Sequence, residues 1–147
     1  MMYRKALTFN DKEIAHEIMR NSSPWKCKAL GKAVKGFDEK VWDRHKVEVV
    51  EEGSYYKFTR GTGEEAEDLR KKFLGTGDRE LVEASPFDRI WGIGFSTDRA
   101  KQGRKAGAGR ERWGQNLLGK ALVAARTRIR QEEGAKVAVV GEVEKKS

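Results

Sequence analysis

A chain of 147 residues with a net charge of +8 has the length of one domain and enough material for a buried core. Apolar and charged residues each make up 37%, a polar but globular balance, and no apolar run approaches the length that crosses a bilayer. No signal peptide opens the chain and the single cysteine, Cys27, excludes an internal disulfide, which points to a soluble protein of a reducing, cytoplasmic compartment.

Helical signals dominate in chain order. Met1-Met2-Tyr3 enters as if in mid-helix, without a cap. Asn10-Asp11-Lys12-Glu13 reads as a cap with a glutamate near the third helical position, opening a helix to about Arg20. Ser23-Pro24 starts another, which Gly36 ends. Asp38 caps a third, carrying Val41, Trp42, Val49 and Val50, until Gly53 and Tyr55-Tyr56 interrupt or extend it. A fourth runs from about Glu64 to Leu74 and stops at Gly75-Thr76-Gly77. Glu80 to Ala84 is the one good strand candidate, followed by a glycine-rich basic loop. The last helix, Trp113 to about Arg130, is the clearest, because Trp113, Leu117, Ala121, Leu122, Ala125 and Ile129 form one apolar stripe. Val137 to Val140 reads as a short edge strand or a frayed end. The organisation predicted is one domain over residues 1–133 and a charged tail over 134–147.

The charge is concentrated. Arg99 to Arg130 holds ten Lys or Arg against one acid, Glu111, which leaves the remainder near neutral. Such a segment attracts phosphate on a small substrate or on nucleic acid, although a solvated helix face is the commoner outcome for a charge run. No aromatic ladder interleaves these cations, which disfavours a single-strand stacking platform. The run Gly103 to Arg112 is expected to be a mobile, phosphate-approaching loop.

Several motifs fall away. Gly114 to Lys120 has P-loop spacing, but Ala121 stands where a magnesium-binding Ser or Thr is needed and an amphipathic helix claims the same residues. Glu13-x-x-His16 is half a di-iron site without a second copy, since His45 lies outside any such pair. One cysteine and two scattered histidines give no zinc site, and no G-x-S-x-G elbow is present. No cofactor and no metal are predicted.

What remains is LVEASPFDRIWGIG, residues 81–94, together with Asn116. A core strand gains nothing from two carboxylates, an indole and two glycines, whereas a pocket does. Lys5 in MMYRKA, Ser23-Pro24, Leu30-Gly31, Trp42, Lys57-Phe58 and Leu81-Val82-Glu83 occur in that order. Asp88-x-x-Trp91-Gly92-x-Gly94 and Asn116-x-x-Gly119-x-x-Leu122-x-x-x-Arg126 follow. Over Met1 to about Arg130 this resembles the NADAR family, the YbiA-like N-glycosidases, and the two patterns in tandem are its most specific part.

The resemblance implies a compact, helix-dominated α+β domain with a small β-sheet. It also implies hydrolysis of an N-glycosidic bond between ribose and a nitrogenous base or amine. Its substrates would be phosphoribosylamino-pyrimidine intermediates of riboflavin synthesis, or ADP-ribose carried on guanine in nucleic acid. Family members carry a further strand-bearing segment that ends in a glutamate seven residues before the position of Lys5, which here falls before Met1. The chain as written is therefore expected to be at best a weak enzyme.

Breaking an N-glycoside builds positive charge on the ribose and expels a poor nitrogen leaving group. A carboxylate stabilises the first or activates water, and an acid or cation assists the second. Glu83 and Asp88 supply the carboxylates if the chain turns at Ser85-Pro86, and Lys5 is a cation for phosphate or an amine for a Schiff base. For substrate binding, Trp91 offers a flat face and Gly92 and Gly94 allow close backbone approach. Asn116 offers an amide for a ribose hydroxyl near a helix start, while Lys57 and Arg126 add cations.

Each has a plainer reading. Glu83 or Asp88 caps a turn or pairs with Arg79, Arg89 or Arg126, Trp91 fills core, and the two glycines serve a turn. Asn116 caps the helix and Lys57 snorkels past Phe58. Two other classes also fit: a non-catalytic basic module that binds nucleic acid or ADP-ribose, and a degenerate relative used for interaction.

Overall fold

The computed structural model describes residues 1–105 and 109–144, and of residues 104, 105 and 136–144 the backbone alone. In chain order its helices are α1 (Met2–Thr8), α2 (Lys12–Met19), α3 (Pro24–Lys32), α4 (Glu39–Thr59), α5 (Glu64–Leu74), α6 (Thr97–Lys105) and α7 (Leu117–Glu144), with a short 3-10 helix, Arg110–Arg112, before α7. The chain divides into two compact units, Met1–Val50 and Glu51–Ser147. No described helix is long and apolar enough to cross a membrane.

In the first unit, α1, α2 and α3 pack on one another. Ala6, Ala15, Ile18 and Val34 form the core, with Met2, Phe9, Ile14, Cys27 and Leu30 against it. Capping explains where these helices begin. Asp11 Oδ1 accepts from the Ile14 N–H at 3.1 Å, and Ser23 Oγ accepts from the Lys26 N–H at 3.5 Å, satisfying donors that a first turn leaves unpaired. Asp11 also accepts the Lys35 N–H on Oδ2 at 2.9 Å, which ties the chain beyond α3 to the start of α2. The bonds from Lys35 and then Ile14 hold the Asp11 carboxyl below the usual carboxylate range. Cys27 is a half-buried thiol directed at the Ile18 and Asn21 carbonyls.

In the second unit, Phe58 and Phe73 stack with centroids 3.8 Å apart, and Ile129 of α7 completes their cluster. Polar tethers surround this core. The Tyr55 hydroxyl donates to Glu132 at 2.7 Å, and Arg70 donates to the Phe58 carbonyl and to Glu133, both at 2.6 Å. The arginines of α7 are committed in the same way. Arg126 donates to Thr76 Oγ1 and the Arg79 carbonyl, and Arg128 bonds Glu132 and lies over the Tyr55 ring. Arg130 bonds Asp78 and the Leu74 carbonyl.

The expected α+β fold with a small β-sheet is overturned: the described residues contain helices and no strand. Residues 80–84 are extended, but a strand needs a neighbouring backbone to form a ladder. Here the Asn116 side chain takes that place, bonding the Glu83 N–H and the Leu81 carbonyl, and one backbone bond from the Ile93 N–H to the Glu83 carbonyl completes the pairing. The supposed edge strand Val137–Val140 continues α7. Helix α4 runs past Gly53 and Tyr55-Tyr56, and α7 begins four residues later than its apolar stripe does. Helix α6 replaces the first part of the expected basic loop. Its sequence, TDRAKQGRK, has no apolar stripe to betray it, although Ser96 caps it as accepted cap chemistry would, by bonding the Arg99 N–H. Of the rest of that loop, Arg110–Arg112 form the 3-10 helix, and residues 106–108 lie outside the described residues.

Candidate active site

The two sequence patterns meet at one junction in the second unit. Five consecutive N–H groups at the start of α7 donate to carbonyls of the Arg89–Ile93 loop. Gly114 bonds Ile93, Gln115 bonds Arg89, Asn116 bonds Gly92, Leu117 bonds Ile90 and Leu118 bonds Trp91, at 2.8 to 3.2 Å. A helix start normally leaves such donors for water, a cap or an anion. In this protein a loop consumes them, so the P-loop spacing of Gly114–Lys120 forms no phosphate cradle, and the two patterns are halves of one capping structure.

Asn116 is the hinge of that structure. Its backbone is left-handed, with φ of 51°, a conformation Asn tolerates better than most residues. Its buried amide bonds the extended segment twice: Oδ1 accepts from the Glu83 N–H at 3.0 Å and Nδ2 donates to the Leu81 carbonyl at 2.9 Å. Gly119, one turn on, lets that segment lie against α7, because a Cβ there would overlap the Leu81 carbonyl and the Asn116 amide.

Glu83 is therefore held at both ends of its backbone, by Asn116 and by Ile93 at 3.0 Å. Its side chain crosses Gly92, where a Cβ would sit 3.2 Å from Glu83 Cγ and 2.8 Å from its carbonyl oxygen. The residue is half-buried, and its carboxylate has no hydrogen-bond or ion-pair partner among the described residues. Asp88 differs. Its Oδ1 accepts from the Ile90 and Trp91 N–H groups at 2.9 and 2.7 Å, and its carbonyl accepts from the Gly94 N–H at 3.0 Å. It shapes the loop that presents Trp91, whose indole is half-buried. Gly94 has φ of 74°, and the Arg89 side chain covers it. Beside these residues Phe87 is 97% exposed.

Glu83, Asp88, Trp91, Gly92, Gly94 and Asn116 thus share one junction. Arg126 belongs to the same helix nine residues after Leu117, about 14 Å along its axis. It is 3% exposed, and its Nε is buried without a partner among the described residues. Lys57 is exposed on α4 with its ammonium 5.7 Å from the Phe58 ring. Lys5 lies in the first unit, where Nζ donates to the Gly31 carbonyl at 2.7 Å and sits 3.9 Å from the Phe37 ring centroid. Burial lowers its pKa below the usual lysine value.

Of the basic run, Arg110 pairs with Glu80 at 2.7 Å and covers Trp113. Sequence reasoning assigned phosphate to the run Gly103 to Arg112 as a whole and gave no separate weight to Arg99 or Arg112, whose guanidiniums are exposed without described hydrogen-bond or ion-pair partners. For Asn116 it gave two readings, a substrate ligand and a helix cap, and neither included the hold on residues 81–83 that its described bonds make. The one signal of its positioning work was the fixed spacing to Gly119, since both serve the same extended segment.

The NADAR domain family model matches residues 1–130. The chain is 40% identical over 132 residues to an N-glycosidase of Acanthamoeba polyphaga mimivirus, covering 89% of this chain and 72% of that protein. It is 36% identical over 135 residues to protein irg-1 of Caenorhabditis elegans, covering 89% and 59%. It is 32% identical over 127 residues to an N-glycosidase of Nostoc punctiforme, covering 86% and 69%.

Proposed function

This chain belongs to the NADAR domain family, and on that premise we propose that it hydrolyses the N-glycosidic bond between a phosphorylated ribose and a nitrogenous base or amine. Glu83 is the acting carboxylate. Two relatives carry the name N-glycosidase, which supports the reaction type. The observation that carries the assignment to Glu83 is a carboxylate without a described hydrogen-bond or ion-pair partner, on a half-buried residue whose backbone is pinned from both sides.

In the reaction the anomeric C–N bond breaks and its electron pair leaves with the nitrogen, which takes a proton from solvent. Water adds its oxygen to the anomeric carbon and gives up a proton. Glu83 stabilises the positive charge that grows on the ribose and accepts the proton from water. Trp91 supplies a flat face for the base. Asp88 and Asn116 act as positioning residues, since their described bonds fix the loop and the Glu83 backbone. Suitable substrates are a phosphoribosylamino-pyrimidine of riboflavin synthesis and ADP-ribose on guanine.

Release of ribose 5-phosphate or ADP-ribose from these two substrates tests the proposal. Glu83→Gln should lower the rate by about a hundred- to ten-thousandfold with an unchanged melting temperature. Asp88→Asn keeps an acceptor oxygen and should stay within about tenfold of the parent. Undiminished turnover in Glu83→Gln removes Glu83 from the chemistry. No release by the parent, together with salt-sensitive duplex binding, favours a binding module instead. Lys5, with its lowered pKa, has the chemistry for a Schiff base with an opened sugar. Borohydride trapping that is lost in Lys5→Met is the sign of it.

A further inference from the structure

A groove of about 420 Å³ opens between α6 and the 3-10 helix, lined by Phe95, Arg99, Gln102, Glu111, Arg112 and Trp113. Two half-buried aromatic rings form its apolar walls, and two exposed guanidiniums stand in it without hydrogen-bond or ion-pair partners among the described residues. This is unlike the neighbouring arginines whose side chains are described. Arg110 is held by Glu80, Arg126, Arg128 and Arg130 are tied to their own neighbours, and Arg89 donates to the Arg112 carbonyl at 3.0 Å. The groove carboxylate, Glu111, is turned to the Gly109 N–H at 3.0 and 3.2 Å. Its own N–H and that of Gly109 hold its pKa below the usual value. Two arginines against one glutamate leave the groove cationic.

The groove adjoins the Glu83 junction through bonded backbone. Glu83 accepts from Ile93, and Ile93 accepts from Gly114 at 2.8 Å. Phe95 follows Ile93 by two residues and Trp113 immediately precedes Gly114.

We propose that this groove is the phosphate subsite: Arg99 and Arg112 hold the phosphoryl group of a ribose phosphate, with the sugar against Trp113 and Phe95 and its anomeric end toward Glu83. The proposal rests on the hydrolase assignment for the direction of the sugar, but not for the binding itself. Guanidinium suits the task because its planar fork meets phosphate oxygens two at a time.

Titration of the full chain with ribose 5-phosphate and with ribose, at fixed ionic strength, tests it. Ribose 5-phosphate should bind, and ribose should bind at least about tenfold more weakly. Arg99→Gln combined with Arg112→Gln should weaken ribose 5-phosphate by about ten- to a hundredfold and leave ribose unaffected. Both side chains lack described partners, so folding should be preserved, and an unchanged melting curve would verify that. Arg110→Gln, which removes a cation already paired with Glu80, should change affinity by less than about threefold. Equal affinity of the double variant and the parent overturns the subsite, as does failure of the parent to bind ribose 5-phosphate. If the parent turns over neither substrate yet loses ribose 5-phosphate with the two arginines, the groove stands and the hydrolase assignment falls. Turnover with binding indifferent to both arginines sinks the groove alone.

Discussion

The start of α7 and the groove beside α6 use polar groups in opposite ways. At the first, five successive N–H groups, the Asn116 amide and one Asp88 oxygen are satisfied by backbone within the second unit. At the second, the Arg99 and Arg112 guanidiniums have no hydrogen-bond or ion-pair partner among the described residues. Asn116 and Asp88, read from sequence as a substrate ligand and a catalytic carboxylate, spend their described bonds on neighbouring backbone, whereas the Glu83 carboxylate and the Arg99 and Arg112 guanidiniums have no hydrogen-bond or ion-pair partner among the described residues. A side chain's use is set by whether protein has already satisfied it, and its type alone does not tell.

The largest break in that comparison is at Asn116. Asn116→Ala removes both amide bonds, leaves the Glu83 N–H and the Leu81 carbonyl without them, and keeps a left-handed backbone that Ala dislikes. It should cost about 2–4 kcal/mol in denaturant unfolding. Turnover should fall as well, even where the variant is folded, because Glu83 loses one of its two anchors. Gly119→Ala should act in the same direction by pushing the Leu81 carbonyl away. A variant at either position with parental stability would show that the extended segment needs no such clamp.

Glu111→Gln sharpens the other side. The amide still accepts from the Gly109 N–H, while the charge that opposes an anion disappears, so ribose 5-phosphate should bind about two- to fivefold more tightly. Because the folded-state pKa of Glu111 is lowered, what its charge adds to stability is complete above the ordinary glutamate range, about pH 4.3, and is lost as pH falls through the lower folded value. Any difference in melting temperature between parent and variant should therefore be present at pH 7 and absent near pH 2. A difference that persists there would have another cause. The smallest effect belongs to Phe87, which is 97% exposed. Phe87→Ser should change stability by less than about 0.5 kcal/mol, and a larger loss on thermal unfolding would mean the ring is covered in solution.

Much of the helical layout was legible because its signals are local. Asp11, Ser23 and Asp38 each cap the helix expected of them, and α5 has the bounds that its flanking glycines announce. Helix α6 escaped because nothing on its surface repeats with an apolar period. The supposed strand was misjudged for a different reason. Glu80 to Ala84 is extended, but its pairing partner is a side chain 33 residues downstream of Glu83, which no local pattern encodes.

The sequence by itself determined the family, the order of most helices and the two patterns around which the site is built, because caps, apolar stripes and motif spacing act over a few residues. Only the tertiary structure decided which of those residues remain available. That Asn116 clamps Glu83, that the Arg89–Ile93 carbonyls absorb the start of α7, and that the Arg110 guanidinium is paired while those of Arg99 and Arg112 have no described hydrogen-bond or ion-pair partner all depend on contacts between distant segments. A hydrogen bond requires two groups within about 3 Å, and a sequence specifies the groups without stating which of them the folded chain brings that close.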